Sequence, residues 1–143
     1  MSYVWKRDTV GLDWHALSEL YRIAPLGEKS VDFLQTVFGN SRYVALVFEG
    51  ERLVAAGRAL ADGADCAYLC DVAVAPDKQG CGLGREVIRS LMSDCAGHRK
   101  IILYAVPGKE GFYRSLGFRR MATAMAVFEN QEAATARGLL QSQ

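Results

Sequence analysis

The stretch DVAVAPDKQGCGLGREVIRSLM at residues 71–92 constrains the fold of this chain more than any other. An apolar run typical of a strand stops at Pro76, glycines follow at Gly80, Gly82 and Gly84, and an amphipathic helix begins there. Glycine adopts positive φ and brings bare N–H groups close to a ligand. A helix N-terminus adds unpaired donors and about half a positive charge, which suits a phosphate or a diphosphate. The stretch therefore predicts a strand, an anion-binding loop and a helix.

Two well-known phosphate loops do not fit the glycine spacing. A Walker loop needs Lys-Ser or Lys-Thr after its last glycine, whereas Gly84 is followed by Arg85 and Glu86. A dinucleotide fingerprint needs GxGxxG in an early strand-loop-helix unit, whereas these glycines run GxGxG behind several predicted strands. A turn that only starts a helix usually needs one glycine. The loop therefore favours a diphosphate of another kind.

Hydrophobic periodicity predicts the remaining elements. In chain order we expect a short opening strand, helices over 13–24 and 30–38, two strands within 43–60 around a tight turn, a strand over 66–75, a helix over 82–97, a strand over 100–106, a helix over 108–118 and a strand over 123–128. Ser30 is the predicted N-cap of the second helix and Gly39 its end. A right-handed crossover after 66–74 implies parallel pairing with 100–106.

Composition narrows the class of protein. The 143 residues are half hydrophobic, which suits one domain over 1–143 with a helical or frayed tail over 130–143. Seventeen basic and sixteen acidic residues, with no basic block, argue against nucleic-acid binding. No apolar run is long enough to span a membrane, and the start MSYVWKRDTV lacks the apolar core of a secretion signal. We expect a cytoplasmic protein without a membrane partner.

The cysteines and histidines do not suggest a metal site. Cys66, Cys70, Cys81 and Cys95 include no CxxC pair, and the chain has only two histidines. We expect reduced thiols and no metal ion.

The hexapeptide QGCGLG at residues 79–84 resembles the Q/R-x-x-G-x-G/A signature of the GNAT superfamily of N-acetyltransferases. DVAVAPDKQG is similar to that family's pantetheine-binding strand, and FYRSLGFRRM to its later helix and strand. The order of elements also matches, so the resemblance covers roughly residues 3 to 129. It implies an α/β (α+β) fold with a mixed, mostly antiparallel central sheet flanked by helices and one parallel, splayed strand pair. It also implies acetyl-CoA as cosubstrate.

The resemblance assigns the cofactor-binding residues. Backbone groups of the strand would pair with pantetheine, the Val74 N–H being the candidate donor to the thioester oxygen. The loop would cradle the pyrophosphate, with Arg85 as a further phosphate contact. These positions are Val72, Ala73, Val74, Gln79, Gly80, Cys81, Gly82, Leu83, Gly84 and Arg85.

Tyr113 matches the family's tyrosine that donates to the coenzyme A sulfur. A phenol of pKa about 10 is a weaker acid than a thiol near 8.5, so full proton transfer is uphill by roughly 2 kcal/mol. We expect a hydrogen bond that strengthens as charge develops. The alternative is an amphipathic tyrosine with its ring on the core. Many relatives carry Asn and Ala where this chain has Val106 and Lys109, which puts pantetheine contacts from this segment in doubt.

Asp71 is the candidate general base. An alkylamine of pKa about 10.4 is neutral in only about one molecule in 2,500 at pH 7, so a carboxylate or a water relay would help. An acid inside YLCDVAVA is costly to bury without a partner or a task. The alternative is an ion pair with an arginine such as Arg58. An aromatic amine of low pKa would need no base.

The acceptor is predicted to lie near the first two helices, with Leu26, Phe33 and Tyr43 as candidate contacts, although such residues are more often core. Parts of the chain also resemble, loosely, bacterial and plastid members that acetylate aromatic monoamines or protein lysines. We expect an N-acetyltransferase acting on a primary amine of a small molecule. One alternative is an acetyltransferase that acts on protein lysines or N-termini. Another is a non-catalytic domain that binds or senses acyl-CoA, although the presence of Tyr113 argues against it. The last is a protein that binds another diphosphate. Exposed sheet edges could pair two copies in a homodimer.

Overall fold

A computed structural model describes residues 2–142 of the chain. The contacts between residues divide the chain after Leu103 into two compact units. The first contains β1 (Val4–Lys6), α1 (Trp14–Ile23), α2 (Val31–Gly39), β2 (Tyr43–Glu49), β3 (Arg52–Ala61), β4 (Cys66–Val74), a 3-10 turn (Pro76–Lys78), α3 (Leu83–Asp94) and β5 (Lys100–Ile102). The second contains α4 (Glu110–Arg114) and α5 (Gln131–Ala136). No helix in the described part of the chain is both long and apolar enough to cross a bilayer.

Both early helices begin at side-chain caps. The Asp13 carboxylate accepts from the N–H groups of His15 and Ala16, and the Ser30 hydroxyl accepts from the Phe33 N–H, as predicted for Ser30. Their buried faces share one core with the sheet, formed by Leu17, Leu20, Tyr21, Leu34, Phe38, Val44, Leu46, Leu53, Ala56 and Ala73 among others.

The five strands form one sheet in the order β1-β2-β3-β4-β5, antiparallel except for the parallel pair β4 and β5. This confirms the predicted α/β class with a mixed, mostly antiparallel sheet. The parallel pairing covers only three residue pairs, from Cys66 with Lys100 to Tyr68 with Ile102. The prediction of a strand as far as residue 106 is therefore wrong. The pairing of β4 with β5 ends at Tyr68, just before the register of β4 with β3 changes.

That irregularity is a β-bulge. The register of β3 and β4 changes between Cys70 and Ala73, so that Asp71 and Val72 lie opposite the single residue Gly57. A bulge bends its strand and strengthens the local twist. It separates the part of β4 that pairs with β5 from the part that leads to the glycine loop.

Helices cover both faces of the sheet at the bulge. Ala56 and Ala73 belong to the core shared with α1 and α2. On the other face, a Cβ atom added at Gly57 would lie 2.9 Å from Val87 Cγ1 and 3.1 Å from Leu91 Cδ1 of α3. Only glycine therefore allows α3 to pack this closely against the strand, which fixes where its N-terminus lies.

The second unit has less regular structure than predicted. α4 is followed by a turn in which Gly117 has φ of 99° and the Phe118 N–H donates to the Tyr113 carbonyl. Residues 123–128, predicted as a strand, form neither helix nor strand. The stretch is rich in alanine, which has low strand propensity, and it pairs with no strand in residues 2–142. Within the tail over 130–143, predicted to be helical or frayed, Gln131–Ala136 form α5 with Asn130 as the N-cap residue.

Candidate functional site

The glycine loop has the backbone that the sequence predicted. Gly80 and Gly82 have φ of 82° and 88°, and Gly82 caps α3 without any side-chain hydrogen bond. The N–H groups of Leu83 and Gly84, in the first turn of a 12-residue helix, have no acceptor within that helix. Nothing lies within 4 Å of a Cβ added at Gly80 or Gly82. This donor set, open on its outer side, fits a diphosphate.

The Gln79 side chain connects the loop to two other elements. Its Nε2 donates to the Val74 carbonyl at 3.0 Å and to the Ala24 carbonyl, at the end of α1, at 3.3 Å. Next to it, the exposed Cys81 thiol donates to the Lys78 carbonyl at 2.8 Å. Gln79 thus holds the start of the loop in place, and direct contact with a pyrophosphate stays a prediction for it.

Two ion pairs attach the 3-10 turn before the loop to the β2–β3 hairpin. Lys78 Nζ lies 2.7 Å from Glu49 Oε2, and Arg52 NH2 lies 2.6 Å from Asp77 Oδ1. The hydrogen bond from Arg52 lowers the pKa of Asp77 to about 2. The hydrogen bond with Glu49 raises the pKa of Lys78. The two ion pairs thus attach the residues before the loop to the β2–β3 hairpin.

The strand segment predicted to bind pantetheine lies beyond the last β4–β5 pair. The Ala75 N–H donates to the Val54 carbonyl at 2.8 Å, which points the polar groups of Ala75 toward β3. The backbone N–H and C=O groups of Val74 then point away from β3, because successive residues of a strand direct these groups to opposite sides. The Val74 carbonyl there accepts from Gln79. The Val74 N–H faces the same edge, as its predicted role requires.

Asp71 lies in the bulge with a φ of 55°, a left-handed conformation that aspartate tolerates better than most residues. Its carbonyl accepts a 2.7 Å hydrogen bond from the buried Tyr21 hydroxyl, whose pKa burial raises well above its usual value. Its carboxylate lies 2.8 Å from Arg58 Nε and 3.9 Å from Lys29 Nζ. The arginine partner considered as the alternative is thus present. The general-base role of Asp71 stays a prediction.

A cavity of about 550 Å³ lies beside the first two helices. Phe33, predicted as an acceptor contact, borders it and is 48% exposed. The Lys29 ammonium lies 5.7 Å from the ring centroids of both Phe33 and Tyr21. The cavity is lined by Ser18, Glu28, Lys29, Ser30 and Phe33.

The other two acceptor candidates occupy different positions. Leu26 lies in the loop after α1 and is 37% exposed. The Tyr43 ring, on β2, packs under the guanidinium of Arg42. Neither is among the lining residues of this cavity. Sequence reasoning missed Lys29, and the signal that could have found it was a lone cation in the short loop between two helices.

Tyr113 lies in the second unit, on α4. Its ring makes edge-on contacts with Phe112 at 5.1 Å and Phe118 at 5.9 Å between centroids. Burial raises the pKa of its phenol. The surroundings therefore make Tyr113 a weaker acid, which favours hydrogen-bond donation over full proton transfer. Of the two positions that depart from the family pattern, Val106 is 61% exposed and Lys109 is the N-cap residue of α4.

The second unit has a cavity of about 500 Å³, which none of the predicted site residues borders; it is lined by Arg114, Gly117, Phe118, Arg119 and Arg120. Within residues 2–142, no three His, Cys, Asp or Glu side chains come together as metal ligands.

Comparison with known proteins adds independent findings. The sequence model described as Acetyltransferase (GNAT) family matches residues 12–118. Serotonin N-acetyltransferase 2, chloroplastic, of Oryza sativa subsp. japonica is 38% identical over 119 residues, which cover 79% of this chain and 60% of that protein. GCN5-related N-acetyltransferase 1, chloroplastic, of Arabidopsis thaliana is 32% identical over 120 residues, covering 81% and 61%. The chain spans about three fifths of the length of these relatives.

Solved structures show the same fold. An acetyltransferase of the GNAT family from Streptococcus pneumoniae superposes with a TM-score of 0.78 at 20% sequence identity. The match covers 91% of this chain and 99% of that one.

Proposed function

Because this chain belongs to the GNAT family of acetyltransferases, we propose that it transfers the acetyl group of acetyl-CoA to a primary amine of a small molecule by direct attack on the thioester. The observation that carries the proposal is the position of Lys29. Its side chain lines the 550 Å³ cavity and its ammonium lies 3.9 Å from Asp71. An acceptor-sized cavity is thereby connected to the residue that directly precedes Val72–Val74.

The lining of the cavity supports an aromatic amine as the acceptor. The half-exposed Phe33 offers a ring for stacking, and the Glu28 carboxylate offers a partner for an ammonium group. The rice relative is named as a serotonin N-acetyltransferase, and serotonin is an arylalkylamine. We extend that class of substrate to this chain as part of the proposal.

Each group of residues has its own role in the proposed reaction. The N–H groups at the start of α3 hold the diphosphate, and the free edge of Val72–Val74 orients the pantetheine arm, with the Val74 N–H directed at the thioester oxygen. When bound, acetyl-CoA supplies the activated acetyl group. Tyr113, whose raised pKa keeps its proton in place, donates a hydrogen bond to the departing thiolate. Asp71 accepts the amine proton directly or through water.

The site of action in the cell is a separate proposal. We propose a cytoplasmic protein. The rice and Arabidopsis relatives are both named as chloroplastic, so a fusion of this chain to a fluorescent protein, imaged in its own cells, is the direct test.

Thermal unfolding with acetyl-CoA, with NAD and ATP as controls, tests cofactor binding. Thiol release over arylalkylamines, polyamines, amino sugars and lysine peptides then tests the acceptor. We expect a stabilising shift with acetyl-CoA alone and turnover of arylalkylamines that falls in Phe33→Ala but not in Val10→Ala, an exposed apolar control. No shift at saturating acetyl-CoA would contradict the proposal, and turnover of lysine peptides alone would assign a protein acceptor.

A further inference from the structure

Lys29 is a largely buried cation at the border of the 550 Å³ cavity. Its side chain is 17% exposed, and its ammonium lies 5.7 Å from the ring centroids of both Tyr21 and Phe33. The ammonium also lies 3.9 Å from Asp71 Oδ1, which is too long for a hydrogen bond. Because an ammonium has three donors, Lys29 can bind a ligand in the cavity while keeping these contacts.

The cluster around Lys29 holds more positive than negative charge. The Asp71 carboxylate already accepts a 2.8 Å hydrogen bond from Arg58 Nε. Burial raises the pKa of the Tyr21 phenol, and it raises the pKa of the Cys70 thiol to about 11, so neither group adds a negative charge at neutral pH. The side chains of Arg58, Lys29 and Asp71 are 13%, 17% and 20% exposed. Two cations thus surround one anion away from water, an arrangement that an anionic group of a ligand would stabilise.

The spacing of Lys29 and Asp71 fits the two charged ends of an α-amino acid. The amine and the carboxylate of such a molecule are attached to the same carbon, which places their nitrogen and oxygen atoms roughly 3 Å apart. Lys29 Nζ and Asp71 Oδ1 are 3.9 Å apart. A carboxylate bound to Lys29 therefore brings the neighbouring amine within reach of Asp71, the residue proposed to take its proton.

Phe33 supplies the contact for an aromatic side chain. Its ring borders the cavity and is 48% exposed, close to the Lys29 ammonium. A ligand carboxylate on Lys29 would thus lie beside a ring on which the ligand's own ring can stack. Glu28 is the acidic residue in the cavity lining, and it is exposed. Water and salt therefore screen its repulsion of a ligand carboxylate.

We propose that the preferred acceptor is an aromatic α-amino acid, whose carboxylate binds Lys29, whose amine faces Asp71 and whose ring stacks on Phe33. This inference rests on the proposed function and narrows its acceptor to arylalkylamines that carry a carboxylate beside the amine. The amine nitrogen forms a bond to the acetyl carbon as the carbon–sulfur bond breaks. Of the two protons that the ammonium loses, one ends on the thiol of coenzyme A and the other in water. The product is an N-acetyl amino acid.

Steady-state kinetics on matched substrates test the role of the carboxylate. L-Tryptophan and tryptamine differ only in that group, as do L-phenylalanine and phenethylamine. We expect the wild-type protein to show at least about tenfold higher kcat/KM for each amino acid than for its amine, as one charged hydrogen bond provides. Lys29→Met should abolish this preference, and Lys29→Arg, which keeps the charge, should retain it. A ratio of two substrates cancels any effect of a variant on acetyl-CoA or on Asp71.

Glu28→Gln is the matched charge change on the other side of the balance. It removes a negative charge from the same cavity lining, so the preference for the amino acid should rise rather than fall. Thermal unfolding of each variant checks that it folds.

Binding of indole-3-propionate, measured by calorimetry, tests the carboxylate site without any turnover, because this molecule has the ring and the carboxylate but no amine. Wild type and Lys29→Arg should bind it, and Lys29→Met should bind it at least about tenfold more weakly. A wild-type preference for the amines, a preference unchanged in Lys29→Met, or binding of indole-3-propionate that is independent of Lys29 would each overturn the inference, while acetyl transfer to amines would stand. Absence of turnover on every amine would instead overturn the proposed function, and the assignment of the acceptor with it, even if indole-3-propionate binds through Lys29.

Discussion

Arg58 and Asp71 face each other across the β3–β4 bulge, with Arg58 Nε 2.8 Å from Asp71 Oδ2. Asp71 keeps this contact from a left-handed backbone conformation, φ 55°, while Tyr21 holds its carbonyl. The side chains of Arg58 and Asp71 are only 13% and 20% exposed. The pair therefore fixes the shape of the strand just before the segment predicted to bind pantetheine.

Asp71→Asn separates the structural role of this carboxylate from a chemical one, because asparagine also tolerates positive φ. Loss of one partner of this largely buried ion pair should cost about 3 kcal/mol, which lowers the melting temperature by about 9–12 °C. If Asp71 is the general base, turnover of alkylamines should fall further in Asp71→Asn than in Arg58→Gln, which leaves the carboxylate in place. Equal losses in the two variants would contradict the base role.

Gly57→Ala should destabilise the protein through α3. The new methyl group would lie 2.9 Å from Val87 Cγ1 and 3.1 Å from Leu91 Cδ1, and overpacking of this kind costs about 1–3 kcal/mol. Denaturant titration measures the loss. Gly39→Ala is the control, because nothing lies within 4 Å of its added Cβ. The cost of Gly57→Ala should shrink in a Val87→Ala background, and an undiminished cost would show that α3 is not the cause.

Tyr113→Phe should lower kcat about 10- to 100-fold, as expected for one hydrogen bond to a developing charge. Burial raises the pKa of Tyr113 above its usual value of 10.0, so the phenol keeps its proton throughout the range below that value. The ratio of wild-type to variant kcat should therefore stay constant between about pH 7 and 9.5. Tyr104→Phe, on the same unit, is the control. A ratio that collapses within this range would contradict a protonated donor.

Cys70 should react slowly with iodoacetamide. Burial raises the pKa of its thiol to about 11, and the thiolate is the reactive form. Peptide mapping after labelling at pH 8 should show modification of the exposed Cys81 well before Cys70. The labelling rate of Cys70 should keep rising with pH until about 11 while the circular dichroism of the folded protein is unchanged. Equal labelling of the two cysteines at pH 8 would contradict the shift.

Local patterns in the sequence predicted the local structure well. Ser30 caps the start of α2 as its preference indicates, and the helix ends at Gly39 as predicted, with Asn40 as the C-cap residue. The three glycines predicted the loop before α3. These features depend on neighbours within a few residues. The parallel pair of β4 and β5 was predicted by a different argument, the handedness of the helical crossover between them.

Features that depend on distant residues were not predictable in this way. The bulge needs Asp71 and Val72 opposite Gly57, and Gly57 is glycine because α3 packs on it; neither fact leaves a local signal. The strand predicted over 123–128 has the right hydrophobicity but pairs with no strand in the described residues. Lys29 was overlooked because its partners, Phe33, Tyr21 and Asp71, come together only in the folded chain.

The bulge also determines which face of the sheet each later side chain of β4 occupies. Val72 lies on the α3 side of the sheet and Ala73 on the α1–α2 side. The two side chains take these faces because Asp71 and Val72 together lie opposite the single residue Gly57. A regular ladder that kept both Asp71 and Val72 would place Val72 opposite Ala56 and turn every later side chain of the strand to the opposite face. Such a one-residue slip would misdirect the glycine loop without altering any residue in it. The bulge therefore sets the direction of the loop as strictly as the loop's own residues do.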